Sequence, residues 1–106
     1  MWVGTYKNAT TSPEPLAISL KPDGAATYEG IALGTRHFSA GTWVLSGTTL
    51  TCNFTAIYGL AINVGVQQTF TATFNPADGT LSSGQWVNTA PPAAANSGTF
   101  TVTKVE

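Results

Sequence analysis

Four times the chain sets a glycine two residues ahead of an aromatic ring: Gly4-Thr5-Tyr6, Gly41-Thr42-Trp43, Gly84-Gln85-Trp86 and Gly98-Thr99-Phe100. Residues i and i+2 share one face of a strand. Each repeat therefore puts a position without Cβ beside a large ring on the same face. Glycine inside a strand weakens it and is kept where the strand bends tightly or another backbone comes close. Strongly coiled, closed sheets need such positions, and a ring can cover the bare glycine. The feature demands a small, curved β-sheet and constrains architecture rather than function.

The remaining sequence keeps the same period of two. Leu16, Ile18 and Leu20 alternate with Ala17 and Ser19, and Lys21-Pro22-Asp23-Gly24 turns the chain into a return strand at 25–29. Residues 38–45 lead into the Ser46-Gly47 turn, after which Leu50, Cys52, Phe54 and Ala56 alternate with Thr49, Thr51, Asn53 and Thr55. Val66, Gln68, Phe70, Ala72 and Phe74 follow, then the Asn75-Pro76-Ala77-Asp78-Gly79 turn, a strand over 81–88 and a last one carrying Phe100 and Val102. With 2–7 as the first, eight strands are expected and no segment has a helical period. Connections at 7–15, 30–37 and 89–97 are longer than a tight turn and read as loops, the second holding the adjacent pair Arg36-His37.

Eight sequential strands can form a sandwich or a barrel. Most connections are hairpin-sized, so each strand should pair with the next. Only 8% of the residues are charged, against roughly 25% in an ordinary domain, and eighteen threonines cover much of the surface instead. A chain so poor in lysine cannot guard open sheet edges with charge, whereas closure removes them. The expected fold is all-β: an eight-stranded antiparallel up-and-down (meander) barrel in one domain, 1–106. The Cys, Trp, Cys pattern of immunoglobulin domains is absent.

The same residues resemble a family. Gly4-Thr5-Tyr6, Leu16-x-Ile18-x-Leu20, Pro22-Asp23-Gly24, Tyr28, Gly41-Thr42-Trp43 and Gly47-Thr48-Thr49-Leu50 look like small bacterial lipocalin-like domains. The avidin group and related calycin barrels share this G-x-W strand and D-G hairpin style. The resemblance covers residues 2–55 best, with Ser97-Gly98-Thr99-Phe100 fitting a closing strand. It implies a lipocalin-like or streptavidin-like barrel with a ligand at one mouth, and it carries across no individual binding residue.

Charge excludes some partners. The net charge is −1, and Lys7, Lys21, Arg36 and Lys104 are scattered. That argues against nucleic acid, which needs clustered cations, and against anionic membranes. The apolar stretch 56–66 is too short to span a bilayer. No leader is visible, Met1 stands directly before a strand-like run, and the low charge reads as an exported protein: secreted, periplasmic or extracellular. Asn8-Ala9-Thr10 and Asn53-Phe54-Thr55 match the glycosylation pattern, the second inside a strand.

Catalytic groups are scarce. Asp23 and Asp78 precede glycines in turns, Glu14 lies between prolines and Glu106 is terminal. Glu29 has no visible partner carboxylate. His37 is the single histidine and Cys52 the single cysteine, so neither a zinc set nor a disulfide can form within the chain. Cys52 is expected as a buried small hydrophobe. Arg36, His37 and Glu29 are the one polar trio to consider, with Arg36 and His37 expected as an exposed loop pair. The expectation is a non-enzymatic protein without cofactor or metal.

The leading functional reading is a binding module. A small apolar or aromatic molecule would enter a mouth lined by Tyr28, Tyr58, Leu60 and Trp86. A second reading is an interaction or assembly domain, inhibitor-type barrels included, with a solid core. It would use the uncharged 57–64 segment, with Ile57, Leu60 and Ile62 as the interface of a homodimer. A third is carbohydrate binding on exposed Trp2 and Trp86. The threonine rows 49/51/55, 69/71/73 and 99/101/103 read as ordinary solvent-facing strand residues.

Overall fold

Alternating side chains and glycine-bearing turns build eight strands, and each pairs with its neighbour in sequence. The computed structural model describes residues 1–8, 12–32, 34–60, 64–90 and 97–105. The strands are β1 (Trp2–Asn8), β2 (Glu14–Leu20), β3 (Ala25–Ala32), β4 (Thr35–Ser46), β5 (Thr49–Tyr58), β6 (Gln67–Asn75), β7 (Thr80–Ala90) and β8 (Ser97–Lys104). All neighbours are antiparallel, and β1 pairs with β8 from Trp2↔Lys104 to Asn8↔Gly98, closing a meander barrel.

The repeated glycines are explained by that closure. A Cβ at Gly4 would run into the carbonyl oxygen of Thr101, and one at Gly41 into that of Asn53. Neighbouring backbones come so close there that no other residue fits. The rings that cover bare glycines come from other strands: Phe100 of β8 lies against Gly84 of β7, and Trp86 of β7 lies against Gly98 of β8.

Inward positions form one core. Tyr28, Phe54, Phe70 and Phe100 make a continuous chain of rings across it, with centroids 5.0–5.3 Å apart for the touching pairs. Leu16, Ile18, Ala26, Cys52 and Ala72 fill the space around them. Cys52 is buried as expected, and burial pushes its thiol pKa up to about 12. The barrel waist is thus packed solid.

Two connections differ from the sequence expectation. Residues 30–32 and 35–37 are strand rather than loop, because Ala32 pairs with Thr35 across a two-residue connection. Arg36 then faces out while His37, next along the strand, faces in and is 5% exposed. The exposed Arg36-His37 pair is therefore corrected to one surface and one buried residue. In β5 the pairing slips: Phe38 pairs with Tyr58 and Ser39 with Ala56, leaving Ile57 as an extra residue. Such a bulge resets which side the following residue faces. The 7–15 and 89–97 connections run partly outside the described residues, as do Ile62 and Glu106.

Candidate functional site

Because the waist is filled, a site inside the barrel lies at one of its two ends. Strand alternation places the turns at 21–24, 46–48 and 75–79, with Met1, at one end. The β1–β2, β3–β4, β5–β6 and β7–β8 connections share the other.

The second end holds the residues expected to line a mouth, but it does not gather them. Tyr28 and Trp86 are core, 1% and 6% exposed. Tyr58 is 62% exposed because the Ile57 bulge turns it outward beside Phe38. Leu60 is half-buried beyond the end of β5. Two sit inside the barrel wall and one outside it, so no single ligand meets all four. Of the expected interface residues, Ile57 is exposed on the same outer face as Tyr58, and Ile62 lies outside the described residues. Trp2 is 8% and Trp86 6% exposed, so neither is the exposed ring expected for sugar binding.

What this end does contain is a buried chain of polar side chains. The Tyr28 hydroxyl donates to Gln68 Oε1, and Gln68 Nε2 donates to Asn88 Oδ1 at 2.9 Å. His37 Nε2 lies 2.7 Å from the Tyr28 oxygen. The phenol proton is committed to Gln68, so His37 Nε2–H is the donor to Tyr28. His37 Nδ1 is buried without a hydrogen-bond partner, and the buried Ser39 hydroxyl lies beside Tyr28, its cross-strand neighbour between β3 and β4. Burial lowers the His37 pKa and raises that of Tyr28 well above the ordinary phenol value. The polar trio considered above is divided by the sheet. Arg36 and Glu29 form an exposed ion pair at 3.6 Å on the outer face, and His37 points inward.

At the first end, the rings stop short of the rim and leave an apolar cup of about 270 Å³. Trp2, Leu20, Lys21, Pro22, Trp43, Leu45, Leu50 and Phe74 line it. Each is placed by a strand end: Leu20 closes β2, Leu45 and Leu50 flank the β4–β5 turn, and Phe74 precedes the turn after β6. Both indole N–H groups are tied to turn carbonyls. Trp43 Nε1 donates to Lys21 O at 2.8 Å, and Trp2 Nε1 donates to Gly79 O at 3.0 Å. These bonds fix the ring planes and leave apolar surface toward the cup. Leu45 at the rim is 39% exposed.

Among these residues the sequence reading named only Trp2 for binding, as an exposed ring for sugar, and it did not bring the others to one site. A signal was nonetheless present. In a meander, alternate turns share an end, and all three turns here are bordered by large apolar residues where polar ones are usual.

A larger hollow of about 530 Å³ lies over the outer face of β6, β7, β8 and β1, with Thr69, Thr71, Gln85 and Thr99 among its walls. Trp86 and Val87 line it as well, so its wall mixes polar and apolar surface. The apolar cup gains from every water it sheds. Comparison with known family models, with curated proteins and with solved structures found no significant match to this chain.

Proposed function

We propose that this protein is a non-enzymatic binding module, a secreted barrel of the lipocalin-like kind, that holds a small apolar or aromatic molecule in the Trp2/Trp43 cup. The observation that carries this reading is the cup itself: aromatic walls whose polar edges are already hydrogen-bonded, at one end of a barrel whose waist is filled by rings. An apolar cavity of roughly 150 Å³ accepts one benzene ring. At about 270 Å³ the cup matches a body of up to two fused rings. Burial of apolar area supplies affinity at about 25 cal/mol per Å² before ordering costs.

Titration with a neutral aromatic such as indole, followed by amide NMR shifts, tests the reading. Shifts concentrated at Trp2, Leu20, Trp43, Leu45 and Phe74 are expected. Saturable shifts around Tyr28, Gln68 and Trp86 instead would place the ligand at the opposite end, and no saturable shift at either end would remove the binding reading.

The second reading, assembly, is favoured by one observation. The β5 bulge leaves Ile57 and Tyr58, 56% and 62% exposed, consecutive on the outer face beside Phe38. A homodimer through this patch would persist on dilution and dissociate in Tyr58→Asp, as read by sedimentation velocity.

A further inference from the structure

The interior of the cup contains no free hydrogen-bonding side chain. Leu20, Leu45, Leu50, Pro22 and Phe74 have none, and the Trp2 and Trp43 N–H groups are committed to Gly79 and Lys21 carbonyls. A ligand with a polar group in that interior would strand it unpaired, at a cost. Its polar group must therefore sit at the rim. Lys21 is the one charged residue among those lining the cup. Its main-chain carbonyl holds the Trp43 ring, which fixes the Lys21 backbone beside the aromatic wall, and its exposed side chain starts from that rim.

Nearby charges do not cancel it directly. Asp23, in the same turn, has a carboxylate oxygen on the Ala25 N–H at 2.9 Å. Lys104, across the same end, lies against Gly79 and near Asp78, whose pKa falls mainly through hydrogen bonds from Thr80 and to a lesser extent through Lys104. Lys21 has no ion pair among the described residues, where the one salt bridge is Arg36–Glu29 at the opposite end.

We infer that the ligand class of the cup is an aromatic acid: a body of one or two fused rings between Trp2 and Trp43, with a single carboxylate at the rim facing Lys21. This rests on the cup being the ligand site. The ring body gives the affinity, and the ammonium selects the anion and fixes the direction of entry. An exposed charge pair contributes modestly and is screened by salt, so the preference for an acid over its neutral isostere should be about three- to fivefold.

Calorimetric titration of 2-naphthoate and of 2-naphthamide into the wild-type chain, Lys21→Gln and Lys21→Arg tests it. The two probes share a ring body and differ in charge. The acid is expected to bind the wild type about three- to fivefold more tightly than the amide. That preference should vanish in Lys21→Gln, persist in Lys21→Arg and shrink at high salt. Equal binding of acid and amide to the wild type, or an acid preference that survives Lys21→Gln, would overturn the inference and leave the cup as a neutral aromatic site. Binding of neither probe would overturn both this inference and the binding reading beneath it.

Discussion

The proton on His37 has its place decided two residues away. Tyr28 has one hydroxyl proton and gives it to Gln68, so Nε2 must carry the imidazole proton and Nδ1 must be bare. A second proton would have to enter on Nδ1, which is buried, has no partner and faces Gly59 so closely that an added Cβ there would stand 2.7 Å from it. Burial lowers the folded-state pKa accordingly. In the unfolded chain His37 takes its proton near the ordinary imidazole value of about 6.5. Between that value and the lowered folded pKa the unfolded state binds more protons, so stability rises with pH through this window. It is flat above the window and falls as pH drops into it. Urea midpoints measured between about pH 7 and about pH 5 should fall more steeply for the wild type than for His37→Gln, which lacks the titrating group. Equal slopes would show that His37 is protonated in the folded barrel. Sequence reading placed His37 on the surface with Arg36. Adjacent strand residues face opposite sides, and only the two-residue hairpin closure, invisible in the sequence, makes this segment a strand.

At the scale of the element, the G-x-aromatic repeat was legible and its purpose partly so. The pattern indicates coiled strands. It does not say which backbone approaches each glycine, nor that Phe100 and Trp86 cover one another's neighbours across β7 and β8. Two kinds of glycine are present, and they separate by experiment. Gly41 lies mid-strand, where a Cβ would strike the Asn53 carbonyl, a main-chain atom that cannot swing aside. Gly47 sits in the β4–β5 turn at φ +62° with open space around it. Gly41→Ala forces two paired strands apart and should cost about 3 kcal/mol, the upper end for overpacking. Gly47→Ala meets only the left-handed backbone penalty of about 1–2 kcal/mol. Chemical denaturation of the two variants checks the order, and a larger loss at Gly47 would mean that β4 and β5 are not held as closely as described. The Ile57 bulge was not legible at all. Strict alternation from Phe54 and Ala56 puts Tyr58 inside, and one inserted residue puts it outside. That slip carries Tyr58 to the outer face, away from Tyr28 and Trp86 in the core.

For the whole molecule, closure followed from the sequence because it rests on quantities the sequence contains: eight alternating segments, short turns and too little charge to protect an edge. The end that stays open did not, because it depends on how far the interior rings reach along the axis. Phe70 decides this. Its ring touches Tyr28, Phe54 and Phe100 at 5.0–5.3 Å and blocks the waist between the polar chain around His37 and the Trp2/Trp43 cup. Phe74, two alternations further along the same strand beyond Ala72, is half-buried and walls the cup instead. Phe70→Ala should therefore cost about 3–5 kcal/mol, the range for emptying a packed aromatic site. Phe74→Ala should cost roughly half as much, since less area leaves contact, yet weaken an aromatic ligand more. If stability and binding instead fell together in both variants, the waist and the cup would be one continuous cavity. The two ends would then be coupled, and a ligand at Trp43 would be felt at His37. Independent responses would mean that the barrel is divided at Phe70 into two separate compartments, a partly buried polar one around Tyr28 and Gln68 and an open apolar one at Trp2 and Trp43.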